Sequence, residues 1–356
     1  TSEGENSVGG DRSLGSDGNP YLILLQNFNR RMKKNPVYVG NQAGPLEGRD
    51  APWCGSQAPL HCKTLDFTVN NRTNLTQTAT VNIIGSTAID KEVIIMEFGQ
   101  NLVIQSNTNE QAEITLTRSN LDGLATNQSY IKFLRDSTLR NLRIDFGDIV
   151  LPYPFINFPQ NSFKLTLDNV IFSNGQFSDH IIHISNGASL EVIDSQFQDL
   201  RGTSSGSVLQ ADLTYPGSVI FTNITFNGNS ITGSEKGAAV YIKTNDSVRY
   251  ISGSVTAVQF TNTTNTTFSN NHGNNNVVSN LYIDLENGNF AQMMVNKRID
   301  LGGIYGLERE PIQYPHPQYA GTGSKSEWID LSIFVKNVTI SKTFANELDS
   351  WSSEET

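Results

Sequence analysis

Leu165-Thr166-Leu167-Asp168-Asn169-Val170-Ile171-Phe172 decides the fold. Apolar residues alternate through Leu165 and Leu167, and the alternation then slips by one residue to resume at Val170 and Phe172. Side chains of a strand alternate between faces, so a one-residue slip marks a tight bend where a new strand begins. The second bend residue needs a left-handed backbone, which Asn and Asp tolerate better than other non-glycine residues. The same slip recurs in Val219, Phe221, Ile224, Phe226 and in Ile333, Val335, Val338, Ile340, again around an asparagine.

Working outward, the pattern of Asn, aliphatic, any residue, then Ile or Phe starts at Asn101, Asn141, Asn169, Asn223 and Asn337. Asp194-Ser195-Gln196-Phe197 and Ala257-Val258-Gln259-Phe260 read as degenerate copies. Positions 141, 169, 194 and 223 lie 28, 25 and 29 residues apart, the signature of stacked structural repeats. We therefore expect an all-β fold, a single-stranded right-handed parallel β-helix, with Asn101, Asn141, Asn169, Asp194, Asn223 and Asn337 as one bend ladder. A β-sandwich with Asn in its loops is the alternative, but it gives no reason for the slip to repeat. A further strand per coil is visible in Ile181–Ile184, residues 206–209, 237–242 and 281–285, with turn chemistry such as Asn186-Gly187 and Tyr215-Pro216-Gly217 between. Residues 80–345 have room for roughly ten coils.

The domain reading follows. Residues 1–35 form a flexible polar arm ending in an apolar run, Tyr21-Leu22-Ile23-Leu24-Leu25, that caps the solenoid or docks on another copy. Residues 36–350 form the β-helix, with 36–80 as an entry segment and 286–330 as an irregular insertion rich in Gly and Pro, after which the rhythm resumes at Trp328-Ile329-Asp330-Leu331. Residues 351–356 are a polar tail. The chain starts without Met, as a mature product or a fragment does.

Charged residues make up 17% and hydrophobic residues 37% of the 356, and Ser, Thr, Asn and Gly fill the balance, as polar solenoid turns require. The net charge of −10 argues against nucleic-acid binding, and no apolar stretch is long enough to span a membrane. The basic cluster Arg30-Arg31-Met32-Lys33-Lys34 reads as a solvated segment, with an interface to an acidic neighbour or a processing site as the alternatives. Cys54 and Cys62 are an even, closely spaced pair that reads as a local disulfide, with two free thiols as the alternative. Eight Asn-x-Ser/Thr sequons start at Asn71, Asn74, Asn127, Asn223, Asn245, Asn262, Asn265 and Asn337. With the cysteine pair they favour an extracellular or cell-surface glycoprotein. Asn223 and Asn337 are also bend residues, so glycosylation is expected mainly at the other six.

The order of a strand (Val37-Tyr38-Val39-Gly40), then Cys54-Gly55, then Cys62-Lys63-Thr64-Leu65 resembles the entry segment of extracellular right-handed parallel β-helix proteins. Phe226-Asn227-Gly228-Asn229, Phe268-Ser269-Asn270-Asn271 and Gly237-Ala238-Ala239-Val240 resemble repeats of the polymorphic outer-membrane protein type and related protist surface proteins, though the last has Ala where that family has Gly. The resemblance covers roughly residues 37–345 and implies a structural or adhesive surface protein.

Polysaccharide hydrolases on this scaffold use an Asp-Asp pair with His-Gly and Arg-x-Lys elements. This chain has no Asp-Asp dipeptide, and His272-Gly273 has no acidic neighbour. Arg143 with Asp145 and Asp148 is the remote lyase candidate, although acid–base work on a glycosidic bond needs two facing carboxylates. His180 and His183, three apart, are expected on opposite faces of a strand, short of a zinc site. No catalytic, cofactor or metal residue is assigned. The expected function is a self-assembling structural glycoprotein joined through the arm and the insertion, with its own copies, matrix or glycans as partners. A carbohydrate-binding adhesive module and a polysaccharide lyase or hydrolase are the alternatives.

Overall fold

In the computed structural model the chain is described over residues 35–41, 50–51, 54–73, 78–95, 101–117, 129–147, 149–159, 162–203, 208–233, 237–244, 256–261, 266–274, 280–285, 299–300, 311–315 and 326–330. It is a β-solenoid. The first sheet runs through Val37–Gly40, Ala79–Ile84, Leu102–Ser106, Ser137–Asp145, Lys164–Phe177, Ser189–Ile193, Val219–Thr222, Val258–Thr261 and Ile299–Asp300. Each strand pairs in parallel with the next. The second sheet stacks seven parallel strands, from Val93–Ile95 to Leu281–Leu285.

Winding places like on like. Val37, Val81, Ile104, Leu139, Leu167, Val192, Phe221 and Phe260 form one in-register inward column. All eight are buried. Val93, Ile131, Ile156, Ile182, Leu209, Val240 and Leu281 form the facing column on the second sheet. A third column stacks aromatic rings past the bend: Phe172 on Phe197 at 5.3 Å, Phe197 on Phe226 at 4.9 Å and Phe226 on Phe268 at 4.9 Å between centroids. Stacked rings at this spacing add roughly 0.5–1.5 kcal/mol each beyond the area they bury.

The bend residues Asn141, Asn169, Asp194 and Asn223 have φ of 53°, 54°, 49° and 58°, the left-handed region. Strands Ser137–Asp145 and Lys164–Phe177 run on through the bend, with Leu139 opposite Leu167 before it and Leu142 opposite Val170 after it. Asn169 Nδ2 donates to Asn141 Oδ1 at 2.9 Å, Gln111 Nε2 donates to Asn169 Oδ1 at 3.2 Å, and Asn223 Nδ2 donates to Asp194 Oδ1. Hydroxyls of the following coil accept the N–H groups just past two of these bends: Val170 N donates to Ser195 Oγ at 3.0 Å and Ile224 N to Thr266 Oγ1 at 3.3 Å.

A second left-handed ladder lies five residues on. Asn174, Asp199, Gly228 and Asn270 have φ of 55°, 53°, 69° and 55°. The residue after each points inward, and two of these are buried amides. Asn229 Nδ2 donates to Phe197 O at 3.1 Å and to Asn271 Oδ1 at 2.9 Å, while Asn271 Nδ2 donates to Phe226 O at 3.1 Å and to Asn280 Oδ1 at 2.8 Å. The Phe-x-x-Asn element thus places a stacked ring, a turn and a hydrogen-bonded core amide in four residues.

Four expectations are corrected. Asn101 is not a bend residue: Leu102 pairs with Ala79 and with Ser137, which puts Asn101 at the entrance of a first-sheet strand. Ala257 is likewise at a strand entrance, because Val258 pairs with Val219. The ten coils are not reached, since the first sheet's path has nine strands and the second sheet seven among the described residues. The solenoid rhythm does not resume at Trp328: Ser326–Asp330 pairs antiparallel with Pro311–Pro315 in a separate two-stranded sheet, whereas Ile299–Asp300, inside the expected insertion, continues the first sheet. Asn337 and Tyr21–Leu25 lie outside the described residues.

The N-terminal end is closed by residues 54–73. Tyr38 N donates to Gly55 O at 3.0 Å, Cys62 N to Tyr38 O at 3.0 Å and Gly40 N to Cys62 O at 2.8 Å, so the free edge of the first strand is paired by its own chain. Unpaired strand edges template association, and this one is covered. Cys54 and Cys62 form a disulfide, and both are fully buried. Gly55 has φ of +82°, and a Cβ there would stand 2.6 Å from Val37 Cγ1, so the cap requires glycine. A short helical segment follows the disulfide, Leu65–Phe67 running into Thr68–Arg72. The buried Arg72 donates from Nε to Cys54 O at 3.0 Å.

Candidate functional site

The richest chemistry among the described residues is on the outer side of the second sheet. Asn157, His183, Gln210 and Tyr241 are in register on four successive strands. Outward positions recur every second residue, so Asp212 follows Gln210 on the same face and pairs in register with Lys243. His183 Nε2 lies 3.1 Å from Asp212 Oδ2, and Gln210 Nε2 donates to both carboxylate oxygens at 3.2 and 3.3 Å.

His180 sits at the corner just before the strand Ile182–Ile184 rather than within it. The expectation that the two histidines point to opposite faces therefore fails. Strand alternation does not apply across the corner, and the two ring centroids are 5.7 Å apart. His180 Nε2 lies 2.6 Å from Asp179 Oδ1, with the imidazole almost wholly buried. That hydrogen bond from His180 holds the Asp179 carboxyl below its usual range despite burial. At Asp212, burial pushes the carboxyl up, but the hydrogen bond and charge of His183, with help from Gln210 and Lys243, outweigh it and the net shift is downward. The result is two imidazoles side by side, each oriented by its own carboxylate. Such an arrangement moves protons or ligates a metal.

The lyase candidates do not converge on a substrate. Asp145 Oδ1 accepts from Gly147 N at 3.0 Å, and its Oδ2 accepts from Asn174 Nδ2 at 2.9 Å and lies 3.4 Å from Arg143 Nη2. Burial raises this carboxyl, the three donors together lower it further, and the group serves to hold the turn and the second ladder. Asp148 lies outside the described residues. Asp50 clusters with Cys54 and Cys62, but the sulfurs are bonded to each other and Asp50 accepts from Lys63 N, Thr64 N and Thr64 Oγ1 at 2.9, 3.0 and 2.7 Å.

Of the sequons, Asn71 and Asn223 fall in the described structure. Asn71 is exposed on the capping segment, and its Nδ2 donates to Phe67 O at 3.1 Å. Asn223 is half-buried in the bend ladder with its Nδ2 turned to Asp194. Asn74, Asn127, Asn245, Asn262 and Asn265 lie outside the described residues, as does the basic cluster at 30–34.

No family model matches the chain, and no curated protein or solved structure matches it. Its class is therefore defined by its own architecture, a parallel β-solenoid with a disulfide-held N-terminal cap. Among the described residues no helix is long and apolar enough to cross a membrane.

Proposed function

We propose that this is a secreted or cell-surface structural glycoprotein, a right-handed β-solenoid rod that assembles with copies of itself through its N-terminal arm and the 286–330 segment. The observation that carries this reading is the cap. A disulfide persists in oxidising compartments, and here the Cys54–Cys62 bridge is fully buried in the segment that closes the solenoid's first strand. The end closed in this way is not available for strand-to-strand stacking, and in this reading the arm and the later segment are the joining elements. The exposed Asn71 on the same cap suits a glycan that keeps the end soluble.

The test is electron microscopy of the purified, non-reduced protein over a concentration series, beside a chain lacking residues 1–34. Ordered multimers that disappear with the arm are the expected result. Monomers at every concentration, or free thiols at Cys54 and Cys62 in native material, overturn the reading.

A further inference from the structure

The two histidine–aspartate pairs are held in the manner of metal ligands. An imidazole that binds a metal through one nitrogen characteristically gives its other nitrogen to a carboxylate, which fixes the ring and raises its basicity. Here Nε2 of His180 is on Asp179 at 2.6 Å and Nε2 of His183 is on Asp212 at 3.1 Å. The ring centroids stand 5.7 Å apart. With about 2.1 Å from metal to imidazole nitrogen, one shared ion holds two ring centroids about 5–6 Å apart.

A third donor group is independent of the histidines. Asn157 is in register with His183 on the adjacent strand, and its Oδ1 is buried without a hydrogen-bond partner. A buried acceptor left unsatisfied costs roughly 1–3 kcal/mol, and a cation beside it removes that cost. His183 keeps 26% of its side chain exposed, which gives an ion a route in from solvent.

We propose that this corner binds one divalent transition cation of the zinc or copper class, with His180 and His183 as nitrogen ligands and Asn157 Oδ1 as an oxygen ligand. Asp179 and Asp212 are the outer carboxylates that position the rings. Imidazole donors select this class over calcium and magnesium, which take oxygen ligands. Water completes the coordination, so the bound ion exchanges with solvent. A rod with or without self-assembly presents the same sheet face, so ion binding here is independent of assembly.

The experiment is titration of the full-length protein with zinc chloride by calorimetry at pH 7.5, and with copper(II) by electron paramagnetic resonance. One equivalent of zinc is expected, with hyperfine structure from two imidazole nitrogens in the copper spectrum. His180→Ala and His183→Ala each weaken binding at least tenfold, and Asp212→Asn, which touches only the outer carboxylate, weakens it about tenfold or more. His183→Gln keeps a donor for Asp212 and serves as the variant if His183→Ala does not fold. No binding by the native chain, or unchanged stoichiometry and affinity in folded His183→Gln, overturns the proposal.

Discussion

Asn169 is the position at which the architecture is most sharply exposed to test. Its φ of 54° lies where a β-branched side chain is strained, by about 1–2 kcal/mol. Its side chain also donates to Asn141 Oδ1 and accepts from Gln111 Nε2. At about 0.5–1.5 kcal/mol net per hydrogen bond, these two contribute roughly 1–3 kcal/mol more. Asn169→Val loses both contributions and is expected to destabilise the solenoid by roughly 2–5 kcal/mol. Asn169→Gly loses the hydrogen bonds but relieves the backbone, and is expected to be the milder change by about 1–2 kcal/mol. Equilibrium urea unfolding followed by circular dichroism measures both, and an unchanged m value keeps the comparison valid. Glycine and valine destabilising equally would refute the claim that this residue is selected for a left-handed bend.

Phe197→Ala removes the middle ring of the aromatic column, which stacks on Phe172 and Phe226, and is expected to cost about 3–5 kcal/mol in the same assay. Replacing Cys54 and Cys62 by serine opens a bridge of sequence separation 8 and is expected to lower stability by about 2–3 kcal/mol, read as a fall in the thermal midpoint. Asp212 and Asp179 have carboxyls held below their ordinary range, so their contribution is complete above the unfolded value of about 4 and is lost as pH falls through the folded values. Asp212→Asn should therefore flatten the acid limb of the stability profile below about pH 4. Glycopeptide mass spectrometry of secreted material should find Asn71 occupied and Asn223 bare, because Asn71 is exposed on the cap whereas Asn223 is half-buried between stacked coils with its amide on Asp194.

The first bend ladder was legible because two signals coincide at Asn169 and Asn223: a slip in the inward phase and a residue type that accepts positive φ. Asn101 and Ala257 show the limit of the four-residue motif taken without the slip, since a strand entrance also places a small or polar residue before alternating aliphatics. The second ladder was harder to read because its residue type varies through Asn174, Asp199, Gly228 and Asn270, and glycine carries no mark of the ladder it belongs to. Its signal was present all the same, two positions after each stacked phenylalanine. The coil count was extrapolated through a period that holds only while strands keep stacking. The hairpin of 311–315 with 326–330 alternates like a solenoid strand but finds its partner locally. The histidine site escaped because it is long-range: His183 and Asp212 are 29 residues apart, one winding of the chain, and adding the period to each polar outward residue would have found the pair.

The most direct measurement is nuclear magnetic resonance on isotope-labelled, protonated protein, of the backbone amides of Asn141, Asn169, Asp194 and Asn223 and the side-chain amides of Asn141, Asn169 and Asn223. The account predicts three-bond amide–Hα couplings of a left-handed backbone at all four residues and cross-peaks from the Asn169 side-chain amide to Asn141, one coil below. Couplings of an ordinary extended strand at these positions, with no contact between Asn169 and Asn141, would contradict it.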